Sequence, residues 1–394
     1  MIKLHYDPRK KVWFQNKLNT ALRWGKNQTK IIYSGGSKIH SLPFTAFVKQ
    51  ERVGPLVGIL TSPSKNAETF TGSIRSFRRI QKELQQQGGM SIVFTPEGLQ
   101  NDHVHGFMYY LEANTWVKVI TPLPDIVYNR IPVRKDEQTE NFIKTIKRIY
   151  ELKIPCFNPH FFNKWETYNV LASSETLSSY LPYTREVINK ESFTDFLSRF
   201  SAVYVKPIQG HKGKGVFTIQ RNRDSSIEYR DMNRLQTYRS IDELWDAVSP
   251  DLLKESYIVQ QAVSSDTIND KKYDLRTLVH NRNGNYVISG IGVRQSQKQT
   301  VTTHVPNGGT ILPFEAVKER VNIDLITSIT KDCGAQLSKK FGFIGEFSID
   351  LGISTNGQYY IYEINSKPMV FDEPPIKEQG LKNLVHLFKE KTYF

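Results

Sequence analysis

Two runs of alternating apolar residues flank the dipeptide Asn356-Gly357, and this arrangement constrains the fold more than any other stretch. Phe347, Ile349, Leu351 and Ile353 recur at every second position, the period of a strand with one buried face. Tyr359-Tyr-Ile-Tyr-Glu-Ile-Asn365 supplies the second run. Asn-Gly between such runs signals a tight hairpin, because both turn positions take positive φ. With Asn356 and Gly357 as a two-residue turn, Thr355 faces Gln358, Asp350 faces Glu363 and Ser348 faces Asn365. Two carboxylates then stand opposed on the face away from Phe347, Ile349 and Leu351, with Cβ atoms about 4.5–5.5 Å apart. Such a pair destabilises a sheet unless one carboxyl keeps its proton or a cation sits between them. Asp350, Glu363 and Asn365 are hard oxygen donors, the kind Mg²⁺ takes while leaving positions for phosphate oxygens. A solvated acidic face is the other reading, and a one-residue slip of register would separate the pair.

A basic loop is the second constellation: Val203-Tyr-Val-Lys206-Pro-Ile-Gln-Gly210-His-Lys212-Gly213-Lys-Gly215-Val216. Lys206 ends an apolar strand, and Pro207 stops regular pairing. Gly210, Gly213 and Gly215 let the backbone approach a ligand closely, and Lys212 adds charge. The pattern lacks Gly-x-x-x-x-Gly-Lys-Ser/Thr and leads into a strand, so it is not a P-loop. A flexible loop between antiparallel strands suits closing over phosphates, or is an ordinary hairpin tip.

The rest of the chain divides by its grammar. Its 394 residues suit two or three domains. The net charge of +14 is concentrated at the front: residues 1–50 hold ten basic residues and one acid, in a β-rich pattern split by Gly35-Gly36 and Pro43. A solvated add-on and a docking surface for an anionic partner both fit; no nucleic-acid-binding motif is present, so nucleic acid is not the expected partner. From Pro55 a buried-type strand, a helical pattern with Phe77, Ile80 and Leu84, and the strand Ser91-Ile-Val-Phe94 give a β-α-β order with a parallel pair. The expected division is a basic β-rich module at 1–52, an open-sheet α/β domain at 53–155 and an α+β domain at 156–394, with a lid at about 190–262. Two cysteines, Cys156 and Cys333, exclude a disulfide framework. No run reaches about 18 apolar residues, so no membrane span is expected, and a cytoplasmic protein is the default. His103 and His105 lack an evident third metal ligand, and no nucleophile elbow or Cys/His pair stands out.

Taken in order, Lys164, Lys206, the glycine loop, Gln260-Gln261-Ala-Val263, Arg276, Arg294 and Asp350…Glu363-x-Asn365 resemble the ATP-grasp superfamily. Asn158-Pro-His-Phe-Phe-Asn-Lys-Trp165, the basic loop and Tyr360-Ile-Tyr-Glu-Ile-Asn365 narrow the resemblance to the YheC/YheD family of endospore coat-associated proteins. It covers roughly residues 55–390. The resemblance implies an ATP-grasp fold, two α+β subdomains gripping ATP behind a pre-ATP-grasp domain. It implies that Lys164 and Lys206 contact ATP phosphates, that Gly210–Gly215 form the lid, and that Asp350, Glu363 and Asn365 hold Mg²⁺, or Mn²⁺ in its place. Backbone groups of Gln261 and Val263 would read the adenine edge; Gln260 stands where many relatives carry glutamate. Arg276 and Arg294 would hold an acceptor carboxylate or acyl phosphate, and Asn307-Gly308-Gly309 would be a substrate loop. The implied activity is an ATP-dependent carboxylate–amine ligase acting through an acyl phosphate. Its partners would be a carboxylate substrate and an amine or other nucleophile, an anionic peptide or polymer among them, and its location the cytoplasm or a spore coat. A non-catalytic ATP-binding coat-assembly protein and a kinase stay open as alternatives.

Overall fold

The computed structural model describes residues 1–17, 21–35, 40–66, 68–210, 213–296 and 308–394. The basic front forms two small sheets. One runs Ile32–Tyr33, Val12–Gln15, Ile2–Asp7, Leu42–Ala46 in spatial order; the other is built from two-residue strands between Arg23–Trp24 and Arg52–Val53. Tyr6, Trp13, Trp24 and Phe44 pack into the same core as Leu56, Met90, Ile92 and Val119 of the following sheet. Lys3, Arg9, Lys10 and Lys11 are left exposed on the surface.

The next sheet has six strands in the order Thr115–Pro122, His103–Tyr110, Met90–Phe94, Leu56–Leu60, Ile126–Asn129, Cys156–Phe157. The expected parallel pair is present, Met90 beside Leu56 through Phe94 beside Leu60. All ten residues of those two strands are buried, because helices and sheets cover both faces. Helix Ile74–Gln86 covers one face with Phe77, Ile80 and Leu84, where it meets Leu384, Val385, Leu387 and Phe388 of the last helix, Pro374–Thr392. The last helix thus packs back against the first quarter of the chain.

Two further sheets complete the molecule. The lid sheet is antiparallel, in the order Thr184–Val187, Tyr257–Gln261, Ala202–Pro207, Phe217–Arg221, Ile227–Arg230, Leu235–Tyr238. Its core side packs on helices Lys190–Arg199 and Ile241–Lys254 through Phe193, Phe196, Leu244 and Trp245. The last sheet runs Thr310–Leu312, Asn285–Gln295, Lys271–Arg282, Glu346–Ile353, Tyr359–Asn365, and buries Phe347, Ile349 and Leu351 against helix Ile323–Phe341.

The acidic hairpin reaches the expected pairing by a different route. Ser354 pairs with Gln358 through its N–H and hydroxyl, so the loop is the three residues Thr355, Asn356 and Gly357, with Gly357 at φ +80°. That shifts the register by one, and Ile353 faces Tyr359 where a two-residue turn would set it opposite Tyr360. A bulge between Asp350 and Leu351, opposite Tyr362, shifts it back. Asp350 therefore faces Glu363 and Ser348 faces Asn365. Turn and bulge cancel, as three-residue hairpin loops and one-residue bulges can.

Candidate nucleotide and metal site

Asp350 and Glu363 open onto a cavity of about 1030 Å³ lying between the lid sheet, the last sheet and residues 71–77 and 130–134. Lys164, Lys206, Gly210, Gly213, Gln260, Gln261, Val263, Arg276, Arg294 and Asn365 line the same cavity. Gly215 sits just behind the lining: at φ +73°, its Cβ position would lie 3.0 Å from Pro207 Cγ and 3.2 Å from the Tyr257 hydroxyl. Gly308 and Gly309 precede the edge strand that pairs beside Arg294, and do not line the cavity. Lys212 and Asn307 lie outside the described residues.

Each cation is delivered by a local device. Asn163 caps the helix Lys164–Ala172 by accepting from Glu166 N–H at 3.0 Å, which starts the helix at Lys164. Lys164 Nζ reaches Glu363 Oε1 at 3.1 Å and the Gly210 carbonyl at 2.7 Å. It therefore ties the metal-type acids to the glycine loop. Lys206 Nζ donates to Gln260 Oε1 at 2.6 Å, and Gln260 Nε2 donates to Thr184 Oγ1 at 3.0 Å, so the amide of Gln260 is used on both sides. Burial pushes Lys206 down to about 8, with Glu363 resisting the shift and Lys164 adding to it. Arg276 lies directly across from Asp350, its Nε 3.9 Å from Asp350 Oδ1. Arg294 grips Glu373 with both terminal nitrogens. Both guanidinium groups lie on the ring of Phe371, at 5.5 and 5.8 Å.

The two opposed acids behave differently. Burial raises Asp350, and the charge of Glu363 raises it further against the pull of Arg276. Burial works against the charged form of Glu363 too, but Lys164 and Lys206 outweigh it and hold that carboxyl below the ordinary range. A divalent cation fits here: two carboxylates and the Asn365 amide present hard oxygens, and Asp350 carries an electrostatic strain that a cation would relieve. Among the described residues there is no group of three or more His, Cys, Asp or Glu that could hold a metal, so this two-acid set depends on the amide and on further oxygens from a ligand.

The motif Asn158–Lys164 has a structural role invisible in the sequence. Asn158, at φ +57°, donates to the carbonyls of Glu346 and Ser366 and accepts from Gly345 N–H at 2.9 Å. It pins the start of one acidic strand to the end of the other. Beside it, Glu346 is gripped by Tyr128, Arg130 and His280, and Lys367 is paired with Glu137. Arg134, Asp274 and Tyr362 also line the cavity without having been singled out: Tyr362 belongs to the acidic hairpin and Asp274 to the strand of Arg276, whose patterns drew attention to their charged neighbours, and Arg134 belongs to a segment without a strand or helix period.

Two solved structures share the ATP-grasp arrangement over nearly their full length. One is VanG D-Ala:D-Ser ligase from Enterococcus faecalis, with TM-score 0.53 and 11% identity, covering 85% of this chain and 99% of that one. The other is the D-cycloserine synthetase DcsG, with TM-score 0.52 and 15% identity, covering 85% and 100%. The fold is ATP-grasp. Residues 153–390 match the family described as YheC/D like ATP-grasp. Endospore coat-associated protein YheD of Bacillus subtilis (strain 168) is 32% identical over 355 residues, 82% of this chain and 75% of YheD. YheC of the same organism is 23% identical over 335 residues, 79% and 92%. The chain belongs to the YheC/D-like ATP-grasp family.

Proposed function

We propose that the protein is an ATP- and Mg²⁺-dependent ligase that joins a carboxylate to an amine through an acyl phosphate. The observation that carries this is the face-to-face Asp350 and Glu363 inside a cavity that also receives Lys164 and Lys206. Lys206 and Lys164 face the phosphates, with Gly210 and Gly213 lining the same cavity. Backbone groups at Gln261 and Val263 face the adenine edge, and Gln260 serves to hold Lys206 in place. A bound Mg²⁺, held by Asp350, Glu363 and Asn365, would neutralise charge on the phosphate oxygens. Arg276 and Arg294 orient the reacting carboxylate, exchanging Asp350 and Glu373 for it. A carboxylate oxygen attacks the γ-phosphorus and the bond to the β-phosphate bridging oxygen breaks, giving acyl phosphate and ADP. The amine nitrogen then attacks the acyl carbon, phosphate leaves, and the amine proton passes to solvent. Positioning and charge neutralisation supply the catalysis, so no protein nucleophile is required.

The names of the two relatives favour a substrate associated with an endospore coat, and the basic front of the chain favours an anionic peptide or polymer as acceptor. A second reading, a nucleotide-binding assembly protein without turnover, draws on the pairing of Lys164, Arg276 and Arg294 with acids of the same cleft. Turnover of Mg²⁺-ATP against a panel of carboxylates and amines decides between them. Release of both ADP and inorganic phosphate, lost in Glu363→Gln, is the ligase outcome. ADP release with phosphate retained on the product is a kinase outcome, and tight nucleotide binding with neither product is the assembly outcome.

A further inference from the structure

Most cations lining the cavity already have a partner. Lys164, Arg276, Arg294, Arg130 and Lys367 each meet a carboxylate, and Lys206 meets Gln260. Arg134 does not. Among the described residues no acid lies within ion-pair reach of it, and its Nε is buried without a hydrogen-bond partner. Its guanidinium lies on the ring of Phe161, 5.0 Å from the centroid, with Lys367 Nζ 4.5 Å from the same ring. Burial lowers its pKa, with Glu363 and Glu137 opposing from a distance, yet an arginine stays charged at any working pH. A half-buried guanidinium without an ion-pair partner is costly, and its fork matches a carboxylate bidentately.

The surroundings narrow the ligand. Arg134 enters from the 53–155 region, whereas Lys206 and Gln260 enter from the lid sheet. The same cavity is lined by Val133, its neighbour in the chain, and by Met369 and Val370, which follow the Lys367 that shares the Phe161 ring with Arg134; these large apolar side chains are 49%, 42% and 49% exposed. Exposed apolar groups beside an unpaired cation, inside a cavity, complement an amphiphilic anion.

We propose that Arg134 is a substrate-binding residue that anchors a carboxylate of the non-nucleotide substrate, with Val133, Met369 and Val370 taking an apolar side chain next to that carboxylate. The substrate class is thus a peptide-like molecule ending in an apolar residue, whose anchored carboxylate is not the one that Arg276 and Arg294 orient. This rests on the ligase reading above, because it assumes that the other wall of the cavity belongs to the nucleotide. The same guanidinium could instead serve a nucleotide phosphate, and the test separates the two.

The experiment uses the full chain and two probes, N-acetyl-L-leucine and the uncharged N-acetyl-L-leucinamide, followed by saturation-transfer NMR titration; Mg²⁺-ATP binding is followed separately by calorimetry. Wild type should bind the acid at least about fivefold more tightly than the amide, the size of one ordinary net hydrogen bond. Arg134→Gln should erase that preference and leave Mg²⁺-ATP affinity within about twofold of wild type. If Arg134→Gln does not fold, Arg134→Lys, which keeps the charge but loses the fork, should still weaken the acid several-fold. Equal binding of acid and amide by wild type, or no saturable binding of the acid, overturns the proposal. So does a variant that holds the acid as well as wild type, or a fivefold loss of Mg²⁺-ATP affinity on substitution. Failure of wild type to bind Mg²⁺-ATP at all would instead sink the ligase reading.

Discussion

Two pairs of carboxylates stand a short way apart in this molecule, one buried behind the cleft and one partly exposed within it, and are treated in opposite fashion. At the joint behind the cleft, Glu137 meets Lys367, Asn129 and the Phe161 N–H, while Glu346 meets Tyr128, Arg130 and His280. Every charge there is answered. In the cleft, Asp350 and Glu363 face each other, and Arg276 stands 3.9 Å from Asp350, too far for a strong hydrogen bond. The lysines make the same contrast. Lys206 and Lys367 are both pushed down to about 8 by burial, but Lys206 leans on a neutral amide and Lys367 on a carboxylate. A perturbed pKa therefore does not by itself mark a functional group; what marks the cleft is two acids set against each other, of which only Glu363 has a close ion pair.

The comparison can be broken most forcefully in the cleft. Glu363→Gln should cut ATP-dependent turnover by about 10³-fold, the scale of losing one preorganised electrostatic group, while chemical denaturation shows stability within about 1 kcal/mol of wild type. At the joint the effect should reverse. Glu137→Gln leaves Lys367 buried without its carboxylate and should lose about 3–5 kcal/mol in a urea titration, with nucleotide affinity of the remaining folded protein intact. If the two variants behave alike, the distinction between joint and cleft fails.

A pH series sharpens the lysine contrast. Lys206 takes up its proton near pH 8 in the folded chain, below the ordinary lysine value of 10.5. Between those values the unfolded chain holds more protons, so this group makes stability rise with pH, and the share should vanish in Lys206→Met. Phosphate binding needs the charged form, so Mg²⁺-ATP affinity should fall above about pH 8. Lys206→Arg should remove that limb in calorimetry, and Lys367→Arg should leave it in place. Asp350→Asn should raise stability by about 1 kcal/mol, since it removes a like-charge opposition, while abolishing metal-dependent turnover. The smallest effect belongs to the lid: Gly215→Ala, strained at positive φ, should cost about 1 kcal/mol and raise the KM for ATP more than it lowers kcat.

What the sequence revealed follows the same division. The alternation around Asn356-Gly357 made the opposed acids legible. The helix Ile241–Lys254 went unread although Ser240-x-x-Glu243 is a capping signal, because Pro250 interrupts its pattern. That proline is tolerated three-quarters of the way along an amphipathic helix held by Leu244, Trp245, Val248 and Leu252. The joint was illegible for a stronger reason. Glu137, Asn158, Glu346 and Lys367 are spread over 230 positions of chain, and no local rule links residues that only the fold brings together. Arg134 escaped for the same reason, since its meaning lies in the partners it lacks.

The three-residue turn and the bulge at Tyr362 have a consequence for how this hairpin can change its length. With the three-residue turn kept, removing one residue at the tip alone would set Ile364 opposite Asp350 in place of Glu363, and adding one would set Tyr362 there. Only double edits, one at the tip and one at the bulge, would keep both oxygens on the ligand side. Tip-length libraries of this protein should therefore divide sharply, single indels dead and matched pairs alive, with few intermediates between.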